Sequence, residues 1–131
     1  MISRNELRKI ARAKLRDAEI LYRNKRFDSA IYLCGYAVET ILKARICRTL
    51  KWKGFPSTSG EFQSYQSFRT HDLKTLLSLS GVEDKIKTQY RAEWTNVSTW
   101  SPEMRYLPIG TTQQSDILKM IQATKVLVKV L

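Results

Sequence analysis

Histidine and cysteine are scarce in this sequence, which has one histidine and two cysteines in 131 residues. The histidine, His71, stands outside any HxxxH or CxxC pattern, and Cys34 and Cys47 are thirteen positions apart in one predicted helix. We therefore expect no metal site. Two thiols are also too few for a disulfide scaffold, so we expect both to be reduced core residues of a cytoplasmic protein.

Long apolar runs and glycine-rich phosphate loops are absent too. The sequence has no run of about 18 apolar residues, and Arg and Lys interrupt its first helical stretch at nearly every turn. We expect neither a membrane span nor a signal peptide. Neither GxxxxGK(S/T) nor GxGxxG occurs, which excludes the P-loop and Rossmann classes of nucleotide site. Residues 1–131 are predicted to form a single domain without a cofactor.

Acidic side chains are outnumbered by basic ones, 12 Asp and Glu against 23 Lys and Arg, and the formal net charge is +11. The excess is largest in residues 1–26, which hold nine basic and three acidic side chains. Within that stretch, one predicted helix carries a row of arginines at steps of four, namely Arg4, Arg8, Arg12 and Arg16. Such a row either binds the phosphates of a nucleic acid or is a solvated face, and the sequence leaves both open.

The apolar positions recur with the helical period, which predicts an all-α fold. The pattern gives two long helices over residues 4–24 and 27–50, a short helix over 71–79, a helix over 83–96 and a final helix up to residue 131. The first two are joined by so short a connection that they must form an antiparallel hairpin. No strand pattern competes, and we predict an up-and-down bundle of about five helices.

Capping residues predict the ends of two of these helices. Thr70 is predicted to be the N-cap of the short helix, with Asp72 in its first turn. Gly81 is predicted to end that helix. Thr111 and Gln114 have the spacing of a capping box at the start of the final helix.

The final helix is apolar on more than one side. Its last residues include a nearly continuous apolar stretch of Val126, Leu127, Val128, Val130 and Leu131. One monomer core does not need this much apolar surface. We therefore predict a homodimer in solution, assembled through the later helices.

Residues 51–70 have neither a helical nor a strand period. Aromatic side chains are scattered through this loop, at Trp52, Phe55, Phe62, Tyr65 and Phe68. They stack on nucleic-acid bases or fold back over the helix pair, and the sequence does not decide between the two roles.

Four segments of the chain carry a family resemblance: RFDSA at 26–30, AVETILKA at 37–44, THDLKTLL at 70–77 and WSPEMRY at 100–106. Together they resemble the HEPN family, small helical domains named for nucleotide binding in higher eukaryotes and prokaryotes. The resemblance implies a dimeric helical bundle of a prokaryotic nucleic-acid or nucleotide system, such as toxin–antitoxin or defence. It also implies one of two roles, a ribonuclease or a partner module encoded beside a minimal nucleotidyltransferase.

The ribonucleases of this family carry an arginine that is followed, about four to six residues later, by a histidine. By this resemblance the arginine is Arg105, and the histidine positions are Gly110, Thr111 and Thr112. None of these three residues is a general acid or base near neutral pH, and no histidine follows Arg105. We therefore predict a non-catalytic binding or partner module.

The surface predicted to bind RNA or a nucleotide is the segment around Arg105. Its guanidinium provides a fork for phosphate or carboxylate, Tyr106 or Trp100 can stack on a base, and Glu103 lies beside them. Alternatively, Trp100 and Tyr106 pack against the bundle while Arg105 pairs with Glu103 or another acid. Two functions compete with the binding module: a divergent metal-independent ribonuclease that uses Arg105 with Tyr106 or His71, and a plain structural domain.

Glu39 and Lys43 stand four apart in the second helix, in the order that favours an intrahelical ion pair. Glu39 lies at the border of an apolar face, where an unpaired carboxylate is costly. We expect Glu39 to bind Lys43 or an arginine elsewhere and so to hold a helix contact together.

Overall fold

The computed structural model describes residues 1–131 and consists of seven α-helices, two short 3₁₀ helices and one pair of two-residue strands. In chain order the elements are β1 (Ile2–Ser3), α1 (Arg4–Arg23), α2 (Phe27–Leu50), β2 (Gly54–Phe55), α3 (Ser59–Phe62), a 3₁₀ helix (Gln66–Phe68), α4 (Leu73–Leu79), α5 (Glu83–Gln89), α6 (Arg91–Val97), a second 3₁₀ helix (Pro102–Tyr106) and α7 (Gln114–Val130). None of the helices is long and apolar enough to cross a membrane. The predicted all-α fold is confirmed, with seven helices in place of about five.

The two long helices match the predicted ranges and pack against each other as an antiparallel hairpin. Ser3 caps α1, since its side chain accepts a hydrogen bond from the Glu6 amide at 3.1 Å. Lys25 adopts a left-handed conformation, with φ of 60°, in the turn between the helices. The stripe of α1 that is buried in the hairpin consists of Leu7, Ala11 and Ala18.

Helix α2 is the centre of the bundle, because α1, α4, α7, β2 and the second 3₁₀ helix all pack on it. Cys34 and Cys47 are both buried in this helix and both are free thiols, as predicted. Burial raises the pKa of Cys34 to about 12. A helix enclosed in this way has few positions where a polar side chain reaches water, so its polar groups need partners inside the fold.

The predicted helix over residues 83–96 is wrong, since α5 and α6 are separate helices that meet at Tyr90. The backbone of Tyr90 has φ −128° and ψ 38°, outside the helical region. The prediction rests on apolar residues spaced by four. In a helix with 3.6 residues per turn, residues at this spacing move gradually around the helix axis and do not stay on one face. Breaking at Tyr90 lets Ile86 and Trp94 both remain in the core.

Two predicted caps are also wrong. Asp72, not Thr70, is the N-cap of α4, and its carboxylate accepts from the Lys74 amide at 3.3 Å. The capping box of α7 is formed by Gln113 and Asp116. In both places a carboxylate, which is a stronger acceptor than a hydroxyl, binds the free amides at the helix start. Gly81 does follow the end of α4, with φ of 78°.

The loop 51–70 packs as an aromatic cluster. Its β2 strand pairs with β1, with Ile2 opposite Phe55, a contact too short to leave a strand pattern in the sequence. The ring centroids of Trp52 and Phe68 are 4.9 Å apart, and those of Phe55 and Phe62 are 6.1 Å apart. Except for Tyr65, which is 44 % exposed, the aromatic residues of the loop therefore fold back on the bundle instead of standing free for base stacking.

Helix α7 does not provide the free apolar face from which the homodimer was predicted. Its apolar end is used inside the chain, where Leu127, Val128 and Leu131 are buried and Val130 packs against the core. Exposed apolar side chains remain in the segment before α7 instead, at Tyr106, Leu107 and Ile109. The homodimer therefore stays a prediction, and the observation that now supports it is the exposed apolar segment before α7.

We expect Gly35→Ala to lower the melting temperature, because a Cβ on Gly35 would lie 2.0 Å from ring carbons of Trp100. Overpacking of this kind costs about 1–3 kcal/mol, and the helix preference of alanine returns only about 0.5–1 kcal/mol. Gly60→Ala is the matched control, since a Cβ there has nothing within 4 Å. Thermal unfolding followed by circular dichroism makes the comparison. Equal melting temperatures for the two variants would contradict the close packing of Trp100 on α2.

Candidate functional site

One face of α2 carries four polar side chains at steps of three and four residues: Tyr32, Tyr36, Glu39 and Lys43. Residues with these spacings share a helix face. Two later segments bring side chains to this face, His71 to Glu39 and Arg105 to Tyr32. The face is therefore where the predicted site residues of three separate segments meet.

Glu39 is a buried carboxylate, 4 % exposed, with a partner on each oxygen. The Lys43 ammonium donates to Oε2 at 3.0 Å, and Nδ1 of His71 lies 2.8 Å from Oε1. The pair with Lys43 was expected, whereas the contact with His71 was not. Because the charge is buried, removing either partner would leave it poorly compensated. Glu39 thus joins α2 to the segment that precedes α4.

His71 is held by Glu39 and still accessible, with its side chain 61 % exposed. A carboxylate accepts hydrogen bonds, so the contact uses Nδ1 as the donor and leaves Nε2 free. An imidazole oriented in this way by a carboxylate is suited to proton transfer. His71 is also suited to the simpler role of closing the Glu39 contact.

The phenol groups of Tyr32 and Tyr36 share a hydrogen bond of 3.2 Å. This bond, together with burial, raises the pKa of Tyr36 to about 12. Nη1 of Arg105 is 3.5 Å from the Tyr32 hydroxyl, at the long limit of a hydrogen bond. Arg105 has no ion-pair partner, so the alternative in which it pairs with Glu103 is wrong.

Trp100 is buried, 4 % exposed, and packs on α2 at Gly35. Its ring meets that of Tyr36 edge to face, with 5.1 Å between centroids. In this position it cannot stack on a ligand, so the expectation that Trp100 stacks on a base is wrong. Its role is to fix the segment that leads to Arg105.

Tyr106 is free where Trp100 is not, since it is 76 % exposed. The Arg105 guanidinium lies over its ring, 4.8 Å from the centroid. Leu107 and Ile109 follow, and Ile109 is fully exposed. This exposed strip, Tyr106, Leu107 and Ile109, is the longest run of uncovered large apolar side chains in the chain.

Arg105 and His71 line one cleft of about 350 Å³, which we call the Arg105–His71 cleft. Tyr36, Asp72, Trp100 and Glu103 are among its other lining residues. The sequence places Arg105 and His71 more than thirty positions apart, so only the fold brings them together. The guanidinium in the cleft can bind phosphate and the imidazole can exchange protons, while Asp72 and Glu103 bring negative charge to the same lining.

A second cleft of about 430 Å³ lies on the other side of His71. Its polar lining includes Thr40, Lys43, Arg69 and Thr70, and the aromatic loop provides Phe55 and Phe62. His71 is the one residue that lines both clefts. The loop 51–70 therefore forms a wall of this second cleft.

Asp28 anchors the segment that carries Arg105. Its carboxylate accepts from the amides of Gly110 at 2.7 Å and Thr112 at 3.0 Å. These hydrogen bonds lower the pKa of Asp28. In the sequence, Asp28 stands out only as part of the segment RFDSA that carries the family resemblance. Its role in anchoring a distant segment could not be recognised from the neighbouring residues, because its hydrogen-bond partners are more than eighty residues away in the sequence.

The arginine row of α1 lies outside both clefts. Arg4 and Arg8 are half-buried, whereas Arg12 and Arg16 are exposed. None of the four makes an ion pair. No group of three or more His, Cys, Asp and Glu side chains lies together in a way that would hold a metal ion.

Comparison with known proteins supports the family resemblance over the first part of the chain. A family model described as HEPN domain matches residues 5–60, a range that contains nearly all of α1, the whole of α2, and β2. A search of curated proteins and a search of solved structures found no match to the chain. The match covers Glu39, Lys43 and the tyrosine pair, and it ends before His71 and Arg105.

We expect Asp28→Asn to lower the melting temperature at neutral pH, because an amide is a weaker acceptor for the two backbone donors. The pKa of Asp28 is lowered in the folded protein, so its contribution is present above the unfolded pKa and is lost as the pH falls through the folded pKa. The difference between wild type and variant should therefore shrink in acid. Asp17→Asn, at an exposed position on α1, is the control. A difference that does not change with pH would contradict the anchoring role.

Proposed function

Because residues 5–60 match the HEPN domain model, we propose that the protein is a non-catalytic HEPN-type module that binds RNA or a nucleotide through its phosphates. The observation that supports this proposal is the environment of the Arg105 side chain. It is exposed, has no carboxylate partner and lies beside the exposed ring of Tyr106. A guanidinium next to an uncovered aromatic ring suits a ligand that has both a phosphate and a base.

The absence of a motif histidine supports a binding role over catalysis. The three positions at which the family ribonucleases carry histidine are Gly110, Thr111 and Thr112 here. The amides of Gly110 and Thr112 are bound to Asp28. This segment is thus used to position Arg105 and supplies no acid or base of its own.

The biological setting we propose is a prokaryotic nucleic-acid or nucleotide system in the cytoplasm, of the toxin–antitoxin or defence type. The module would act beside a nucleotidyltransferase or another partner protein. This setting follows from the family resemblance. The charge of +11 supports it, since a basic domain is attracted to nucleic acid and to acidic protein surfaces.

We expect Arg105→Ala to weaken binding of a short single-stranded RNA by at least about tenfold, since a charge-assisted pair contributes about 1.5–3 kcal/mol. The melting temperature should change little, because the Arg105 side chain is exposed and its hydrogen bond to the Tyr32 hydroxyl is long. Arg91→Ala, on α6, removes the same charge elsewhere and serves as the control. Fluorescence anisotropy measures binding. Unchanged binding together with a lower melting temperature would assign Arg105 to the scaffold.

A divergent metal-independent ribonuclease is the second candidate, favoured by the Arg105–His71 cleft. Under the binding proposal, end-labelled RNA stays intact with or without divalent metal ions, as it does with heat-inactivated protein. Cleavage that is lost in both Arg105→Ala and His71→Ala would put the ribonuclease first. The two variants are informative together, because a contaminating nuclease would be unaffected by either.

We also expect a homodimer that buries the exposed side chains of Leu107 and Ile109 and leaves the ring of Tyr106 uncovered. Contiguous apolar side chains at a surface mark interaction sites. Light scattering at micromolar concentration should give twice the chain mass, and Ile109→Glu should shift the protein toward the monomer. A wild-type protein that remains a monomer would contradict this expectation without affecting the fold.

A further inference from the structure

Four arginines from two helices gather at one end of the hairpin. Arg4 and Arg8 lie at the start of α1, and Arg45 and Arg48 lie at the end of α2. The antiparallel hairpin brings these two ends together. We call these four residues the arginine cluster. The row of arginines predicted along α1 contains only two of these four residues, Arg4 and Arg8.

The cluster has no acidic partner within the chain. None of its four side chains makes an ion pair. The nearest acid along α1, Glu6, lies 3.8 Å from Lys9, and Glu39 on α2 is taken by Lys43 and His71. Local carboxylates are therefore engaged elsewhere, and the cluster is left with an uncompensated positive charge.

Partial burial makes this charge costly. Burial, followed by the nearby charges of Arg12, Arg4 and Arg48, lowers the pKa of Arg8. Burial, followed by the charges of Arg48 and Arg4, lowers the pKa of Arg45. The Nε atom of Arg45 is buried and has no hydrogen-bond partner. A buried donor without an acceptor is unusual in a folded protein and calls for an explanation such as a bound water or ion.

A solvated face alone does not account for the cluster, because Arg4, Arg8 and Arg45 are half-buried and lie among like charges with no carboxylate partner. A membrane surface does not explain them either. A helix that lies on a membrane turns its apolar face to the lipid, and the apolar face of α1 is buried against α2. The planar guanidinium fork can donate two hydrogen bonds to one phosphate, which the lysine ammonium does less well.

We propose that the arginine cluster binds the phosphodiester backbone of RNA or DNA. The proposal rests on the proposed binding function and adds a second contact surface to it. Arg12 and Arg16 continue from the cluster along α1, and a step of four residues advances about 6 Å along a helix. A strand that follows α1 would therefore meet a guanidinium at regular intervals, without contacts that read its sequence.

The test compares Arg8→Gln and Arg48→Gln with Arg91→Gln, which removes the same charge on α6. The probe is a fluorescein-labelled single-stranded RNA of mixed sequence, titrated over a range of salt concentrations. Each cluster variant should bind several-fold more weakly at low salt. The slope of log affinity against log salt should fall by about 0.7 for each phosphate that the variant no longer neutralises. Arg91→Gln should leave both quantities unchanged.

Stability gives a readout that separates binding from a structural role. Without RNA, the melting temperature of Arg8→Gln and Arg48→Gln should stay equal or rise, because each change removes repulsion between like charges. RNA should raise the melting temperature of the wild type more than that of either variant. A lower melting temperature with unchanged affinity would overturn the proposal and make the cluster structural.

The remaining outcomes distinguish this proposal from the proposed function. If Arg105→Ala weakens RNA binding while both cluster variants bind as well as wild type, the cluster proposal fails and the binding module stands. If the wild type binds no RNA at low salt, both fail. Binding to vesicles that contain anionic lipid, with no RNA binding, would identify the cluster as a membrane contact instead.

Discussion

The buried carboxylate of Glu39 is the group on which the candidate site depends. It lies on the most enclosed helix of the bundle and must be compensated there, and Lys43 and His71 supply that compensation. Lys43 comes from the same helix, so it adds no tertiary link. His71 comes from the segment before α4, so its contact fixes that segment against α2. The positions of both clefts follow, because His71 lines each of them.

Acidic and basic side chains in this molecule differ in whether they have a partner within the chain. The buried acid Glu39 has two partners, and the half-buried acid Asp28 has two backbone donors. By contrast, Arg105 and the arginine cluster have no carboxylate partner. With 23 basic and 12 acidic side chains, some cations must remain unpaired. Five of the cations without a carboxylate partner, the four residues of the arginine cluster and Arg105, are the ones to which we assign anion binding.

Much of the fold could be predicted from periodicity, because α1 and α2 are long and each apolar pattern persists over several turns. The pair of Glu39 and Lys43 was predictable for the same reason, since both lie on one helix. Contacts between distant segments were not predictable. The contact of His71 with Glu39 and the anchoring by Asp28 depend on how the chain closes. The break at Tyr90 was missed because a four-residue row imitates a continuous helix.

The central claim is that Arg105 and the arginine cluster are the ligand contacts, and side-chain NMR tests it most directly. In protein labelled at the arginine nitrogens, the Nε–Hε signals can be followed while a short single-stranded RNA is added. The account predicts that the signals of Arg8, Arg45, Arg48 and Arg105 shift or become protected from exchange. The signal of Arg91, on α6, should stay in place. Shifts confined to other arginines, or no shifts at saturating RNA, would contradict the account.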